Sequence, residues 1–134
     1  MSSSRITREQ IVKLLATARS GSFEDVRDRA IMWMFIETDA EPPDITNLTE
    51  NDIDLARGEV RLTDEHGTTR GFTLETEAAR ALADYVEARR RRPNADAGFW
   101  IDNSGAMDSA AVVGAARERG ALAGLGDLLH PKHH

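Results

Sequence analysis

The side chains that could do chemistry are few, and they lie far apart in the sequence. Tyr85 is the single tyrosine and could act as a nucleophile, and four consecutive arginines, Arg89 to Arg92, could bind phosphate. The imidazoles of His130, His133 and His134 could hold a metal ion. The chain has no cysteine, which excludes disulfides, thiol catalysis and thiolate metal sites. No phosphate-binding glycine loop, Ser-His-Asp set or redox motif is present.

Each of these candidates has a simpler structural interpretation. Tyr85 shares a helical apolar stripe with Leu82 and Val86, which favours packing in the core. The arginine run stops at Pro93, so it is expected to lie at a helix C-terminus, where solvated cations complement the helix dipole. The three histidines fit a solvated chain terminus better than a metal tract.

Composition and charge limit the classes of protein. A chain of 134 residues with 40% apolar residues suits one compact domain, and its formal charge is −6. Since most DNA-binding domains are basic, this average charge opposes nucleic acid. No apolar run is long enough to cross a membrane and no leader is evident, so we expect a cytoplasmic protein with no membrane partner.

Apolar periodicity and capping residues predict mainly helices. A capping box, Thr7 with Gln10, begins an amphipathic helix that ends near Gly21. The apolar run Ile31–Ile36 predicts a helix buried on nearly all sides, although a short buried strand is the alternative. Two further helices are expected to be capped by Thr76 and by Asp108 or Ser109. We expect a disordered start at 1–5, one domain at 6–127 and a tail at 128–134.

Between the second and third of these helices the pattern changes to strands. Residues 59–63 and 70–74 alternate in polarity around a loop that contains Gly67, which predicts a β-hairpin. Asp52-Ile53-Asp54 leads into this hairpin and could add a third strand. The expected fold class is therefore mainly α with a small antiparallel β-sheet (α+β).

The segment from Thr38 to Asp54 resembles the first catalytic box of the tyrosine recombinase (phage integrase) family. That family writes Thr-Gly-Leu-Arg-x-Ser-Glu-Leu-x-x-Leu, then three residues, then Asp-Ile-Asp. Thr38 matches the threonine, Asp44 stands for the glutamate, and Asp52-Ile53-Asp54 falls in register without a gap. The catalytic arginine of the box falls on Glu41.

The hairpin extends the resemblance and repeats the reversal of charge. The family writes Gly-Lys-Gly-x-x-x-Arg-x-x-Pro-Leu here, and its lysine protonates the leaving oxygen. Arg70 and Leu74 match, Thr73 replaces the proline, and the lysine falls on Glu65. In the tail, His130-Pro131 resembles the family's His-Pro-His-x-x-Arg, which puts Lys132 on the catalytic histidine; an alternative alignment takes His130 as that histidine and His133 at the arginine.

The resemblance implies a truncated tyrosine-recombinase catalytic-domain-like fold without the family's N-terminal DNA-clamping domain and last helices. The family's nucleophilic tyrosine would lie past His134. A carboxylate about 5 Å from a phosphate repels it by roughly 3 kcal/mol at an effective dielectric of about 20, where a cation would attract it equally. With glutamates at both cation positions, we expect no strand cleavage and therefore, on balance, no enzyme.

Three functions stay open from the sequence. The first is a catalytically inactive integrase-like domain that binds double-stranded DNA weakly through Arg57, Arg61 and Arg70. The second is a protein-interaction or regulatory module that binds an intact integrase, or itself, through the groove left by missing C-terminal helices. The third is a decayed remnant with no present role. No cofactor is expected, and a metal held by Glu41, Glu65 and His130 is a less favoured alternative.

Overall fold

The computed structural model describes residues 6–126, which form five α-helices and two small antiparallel sheets. The predicted disordered start at 1–5 and tail at 128–134 lie outside these residues. The helices are α1 (Arg8–Ala16), α2 (Phe23–Glu37), α3 (Pro42–Thr46), α4 (Thr76–Arg90) and α5 (Ser109–Leu122). The strands are β1 (Ile53–Asp54), β2 (Glu59–Thr63), β3 (Thr69–Thr73), β4 (Ile101–Asp102) and β5 (Gly105–Ala106). The predicted α+β class is confirmed.

Helix α2 lies at the centre of the core. Ser22 caps its N-terminus by accepting a hydrogen bond from the Asp25 amide, and the whole apolar run from Ile31 to Phe35 is buried. The helix packs against α4 on one side and α5 on another, which explains why it has no polar face. The prediction of a buried helix rather than a strand is confirmed.

Capping predictions succeed at two helices and miss at two helix ends. The capping box of Thr7 and Gln10 is formed, and the Asp108 carboxylate caps α5. Helix α1 ends at Ala16 rather than near Gly21, because the Thr17 hydroxyl and amide both bind the Leu14 carbonyl and close the last turn. Helix α4 begins at Thr76, so the capping position belongs to the preceding residue, which makes no side-chain cap.

Tyr85 is a core residue, as the apolar stripe predicts. Its hydroxyl donates to the Phe99 carbonyl at 2.7 Å and accepts from the Ile101 amide at 3.0 Å. Its ring stacks on Trp100 with 5.0 Å between centroids. Burial raises the pKa of Tyr85 to about 12, so the phenol is neutral and hydrogen-bonded at neutral pH.

The arginines at the end of α4 do not all stay in solvent, and for Arg89 that expectation is wrong. Arg90 and Arg91 are exposed, but the Arg89 side chain is only 13% exposed. It donates to the carbonyls of Phe99, Ala95 and Gly98, and to the Glu50 carboxylate at 2.7 Å. Arg89 therefore fastens the loop after α4 to the segment before β1, because one planar guanidinium can serve several acceptors.

A second arginine network joins α5 to the helices beneath it. Arg119 donates to Asp28 and Asp25 of α2, both at 2.9 Å from Nη2, and to the carbonyl of Thr17 after α1. Asp28 is also paired with Arg27, at 2.8 Å. Burial opposes ionisation of Asp25, but hydrogen bonds from Ser20 and Arg119 outweigh it and lower the pKa of that carboxyl.

The three-stranded sheet has the order β1-β2-β3 and covers one side of the helices. Val60 and Leu62 of β2 face the core, while Glu59, Arg61 and Thr63 face solvent. Helix α3 contacts β2, and the Trp100 indole donates to the Ile45 carbonyl at 2.8 Å. That bond holds this five-residue helix against the core. No helix within residues 6–126 has the length and apolar character needed to span a membrane.

Candidate functional site

A cleft of about 440 Å³ opens between α3 and the turn that joins β2 to β3. Five carboxylates, one histidine and one arginine line it, together with a proline. The lining residues are Asp39, Glu41, Pro43, Asp44, Asp64, Glu65, His66 and Arg70. Glu41 and Glu65, which lie 24 positions apart in the sequence, therefore face the same space.

The end of α2 and the start of α3 build the first wall of the cleft. Thr38 leaves the helix in an extended conformation, and its hydroxyl donates to the Met34 carbonyl at 2.7 Å. Glu41 is the N-cap of α3, and Pro42 follows at the first helical position, where a missing amide hydrogen costs nothing. This turn sets Asp39 and Glu41 on the exposed rim.

Asp44 lies deeper in the same wall and is buried. Desolvation raises the pKa of its carboxyl, and the nearby charges of Asp64 and Glu41 act in the same direction. The Glu41 backbone and Arg70 oppose the shift but do not cancel it. Asp44 is thus the carboxyl of the cleft that is hardest to ionise among those whose pKa shift is resolved.

The β2–β3 turn builds the second wall. The Asp64 carboxylate accepts hydrogen bonds from the amides of His66 and Thr68, both at 2.9 Å, and Gly67 takes the positive φ that the turn requires. The hydrogen bond from Thr68 is the main reason that the pKa of Asp64 is lowered. The tightened turn projects Glu65 outward, with its side chain 84% exposed and 3.7 Å from the His66 ring.

Arg70 is the only arginine or lysine that lines the cleft within the part of the chain that the structure describes. Its Nη2 donates to the Asp39 carboxylate at 3.0 Å, and its guanidinium lies 5.1 Å from the centre of the Phe72 ring. The side chain is 51% exposed. The cleft therefore offers five carboxylates against one guanidinium, a surface that favours cations over anions.

The three arginines predicted to contact DNA do not share one face. In the β2–β3 register Leu62 is opposite Arg70, and Arg61 is opposite Gly71. Since cross-strand partners point to the same side, Arg61 and Arg70 lie on opposite faces of the sheet. Arg61 donates to the Asn51 carbonyl at 3.1 Å, and Arg57 lies in the turn after β1, 3.8 Å from the Asp54 carboxylate.

The remaining predicted positions, His130 and Lys132, lie outside the described residues, so the metal set of Glu41, Glu65 and His130 is outside as well. Within residues 6–126, no group of three or more His, Asp or Glu side chains is arranged to hold a metal ion. The exposure of Glu65 also changes the expected electrostatics. Water screens the charge of Glu65 in the free protein, so its repulsion of a phosphate is weaker than the roughly 3 kcal/mol expected from the sequence.

Sequence reasoning found Glu41 and Glu65 but missed the other acidic side chains of the cleft, Asp39, Asp44 and Asp64. A charge count along the chain would have found them. Residues 37–77 contain twelve Asp and Glu residues against three arginines, a formal charge of −9 in a chain whose total is −6. The acidic character of the protein is concentrated in the segment that builds the cleft and the sheet.

The profile of the phage integrase family matches residues 4–134, almost the whole sequence. The chain belongs to the phage integrase family. The chain is similar to two proteins named tyrosine recombinase XerC. The protein of Roseiflexus castenholzii (strain DSM 13941 / HLO8) is 32% identical over 88 residues. The protein of Roseiflexus sp. (strain RS-1) is 31% identical over 86 residues. These matches cover 65% and 63% of this chain but 28% of each relative.

The integrase-family fold is also found by comparison of structures. The crystal structure of XerA recombinase superposes with a TM-score of 0.79 and 20% sequence identity, over 96% of this chain and 47% of that one. At this identity the likeness shows the fold, and it confirms the tyrosine-recombinase-like architecture that the Thr38 and Arg70 segments predict. The chain spans less than half the length of the relatives that it matches.

Proposed function

We propose that this integrase-family domain associates with duplex DNA without cutting it. The family match supports the association with DNA. The observation that carries the loss of cleavage is the cleft in which Glu41 and Glu65 face the same space, with Arg70 as its arginine. By the resemblance, these two glutamates occupy the positions of an arginine and a lysine that would contact the scissile phosphate. Carboxylates there remove the attraction that holds a phosphodiester and replace it with repulsion.

The second argument against strand cleavage is that the one tyrosine of this sequence is not placed to act as the nucleophile. A recombinase of this kind attacks phosphorus with a tyrosine hydroxyl and stabilises the developing charge with cations. The one tyrosine in the sequence is Tyr85, whose buried hydroxyl is bound to Phe99 and Ile101 and whose pKa is raised to about 12. Such a hydroxyl cannot reach a phosphate outside the core.

A duplex titration with reversed charges tests this proposal. We expect the double variant E41R/E65K to bind a fluorescent duplex more tightly than the wild type at ~50 mM salt, measured by anisotropy. If both new cations contact phosphates, the slope of log K against log salt steepens by about 2. Neither protein should nick the duplex, because the double variant still lacks an accessible tyrosine.

A matched control separates local contact from net charge. The variant E24R/E118K changes the total charge by the same amount at exposed positions on α2 and α5, away from the cleft. An equal gain in the control would show that the cleft does not contact DNA, and nicking by the wild type would refute the loss of cleavage. The alternative function, self-association or capture of an intact integrase, would appear in sedimentation velocity as a gain in mass that is independent of duplex.

A further inference from the structure

An ion pair joins Arg70 to Asp39, and among the described residues Arg70 is the arginine that lines the cleft. Nη2 of Arg70 donates to Oδ1 of Asp39 at 3.0 Å, and both side chains are at least half exposed. The pair joins the end of α2 to strand β3 across the cleft, between residues 31 positions apart. Phe72 supports the guanidinium from below, at 5.1 Å from the ring centre.

We propose that Asp39 is an internal anion that masks Arg70, so that a contact within the chain weakens the binding of phosphate in the cleft. This inference rests on the proposed function, since it treats Arg70 as the phosphate contact of that cleft. The Asp39 carboxylate presents to Arg70 the same kind of charged oxygen that a phosphate would present. A phosphate that binds Arg70 must displace this carboxylate or bind beside it, against its charge.

Asp39 contacts part of the Arg70 guanidinium and leaves the rest of it available to a ligand. The contact with Asp39 is monodentate and engages Nη2, whereas an arginine offers five N–H donors in a planar fork. Nε and the second terminal nitrogen are therefore not engaged by Asp39, and the cation stays on the cleft wall rather than being drawn into the core. Removing Asp39 leaves this fork in place and takes away the competing charge.

The size of the effect follows from the exposure of the pair. Asp39 is 77% exposed, and ion pairs between exposed side chains are weak because water and salt screen them. Masking therefore changes the affinity of Arg70 for phosphate by about two- to five-fold, not by orders of magnitude. Such a mask tunes the cleft and is displaced by a ligand that supplies several contacts at once.

The test uses inorganic phosphate as the probe and the Nε–Hε NMR signal of Arg70 as the readout. The signal is identified by its loss in R70Q, and the wild type, D39A and E87A are titrated with phosphate. E87A is the matched control because Glu87 pairs with Arg91 on α4 at 3.2 Å, with both side chains about two-thirds exposed. We expect D39A to lower the phosphate dissociation constant at Arg70 by about two- to five-fold and E87A to leave it unchanged.

Two results would overturn the mask. One is an equal change in D39A and E87A, which would make the gain an effect of net charge. The other is an Arg70 signal in D39A that phosphate does not shift, which would show that Arg70 is no anion contact. If E41R/E65K gains no affinity for duplex while D39A still tightens phosphate at Arg70, the proposed function fails and the mask stands. Near-UV circular dichroism checks that D39A keeps the fold.

Discussion

The carboxylates of the helical body and those of the cleft differ in how many cationic side chains lie beside them. In the body, Asp25 and Asp28 are held by Arg119, and Glu50 is held by Arg89 and Arg90. In the cleft, as far as the structure describes the chain, five carboxylates lie beside one arginine. The comparison teaches that the acidic residues of the body are matched by largely buried cations, whereas those of the cleft outnumber its arginine and leave a negative surface.

The largest effect should come from breaking the body network. Asp28 has a side chain only 5% exposed and binds both Arg27 and Arg119. We expect D28N to lower the free energy of unfolding by about 3 kcal/mol, because the buried Arg27 guanidinium loses its counter-charge and Arg119 keeps Asp25 alone. Urea denaturation followed by tryptophan fluorescence measures this. A loss below about 1 kcal/mol would show that the network contributes no more than an exposed ion pair.

The next effect is a pair of opposite pH dependences. Desolvation raises the pKa of Asp44 in the folded cleft, so its ionisation weakens the fold, and stability is regained as pH falls through the folded pKa. We therefore expect D44N to be more stable than the wild type at pH 7, with the difference closing in acid. Thermal unfolding between pH 3 and about pH 7 measures it.

Asp25 should behave in the reverse way and sharpens the contrast. Its folded pKa is lowered, so its charge stabilises the fold above the unfolded pKa, and this contribution disappears as pH falls through the folded pKa. D25N should then be less stable than the wild type at pH 7 and approach it in acid. Parallel curves for D44N and D25N would contradict the division between cleft and body.

The smallest effect should come from the rim of the cleft. Glu65 is exposed, and it lies 3.7 Å from His66, which is also exposed. We expect E65Q to change the free energy of unfolding by no more than about 0.5 kcal/mol, since surface substitutions of this kind rarely do more. The same urea series measures it beside D28N. A larger loss would mean that Glu65 has a structural role and is a poor marker of function.

Local features were predictable from the sequence, and distant contacts were not. The buried helix at Ile31, the capping box at Thr7 and the hairpin around Gly67 follow from patterns within a few residues. The resemblance supplied the cleft positions of Glu41 and Glu65. The placing of Asp39 against Arg70 joins residues that no periodicity links, so only the folded chain shows it.

Arg89 shows why a correct local rule can still fail. A cation at the end of α4 is expected in solvent, and its neighbours Arg90 and Arg91 obey that rule. Arg89 differs because two distant segments supply acceptors for it. The carbonyls of Gly98 and Phe99 and the carboxylate of Glu50 all accept hydrogen bonds from its guanidinium. Long-range acceptors outweigh the preference for water, and nothing in the arginine run marks which member they select.

The hydrogen bond from the Trp100 indole to the Ile45 carbonyl has a practical consequence. Ile45 directly follows Asp44 in α3, so any movement of that wall alters the surroundings of an indole whose emission responds to them. The other tryptophan, Trp33, is buried in α2. Intrinsic tryptophan fluorescence can therefore report on ligand binding in the cleft without an added label.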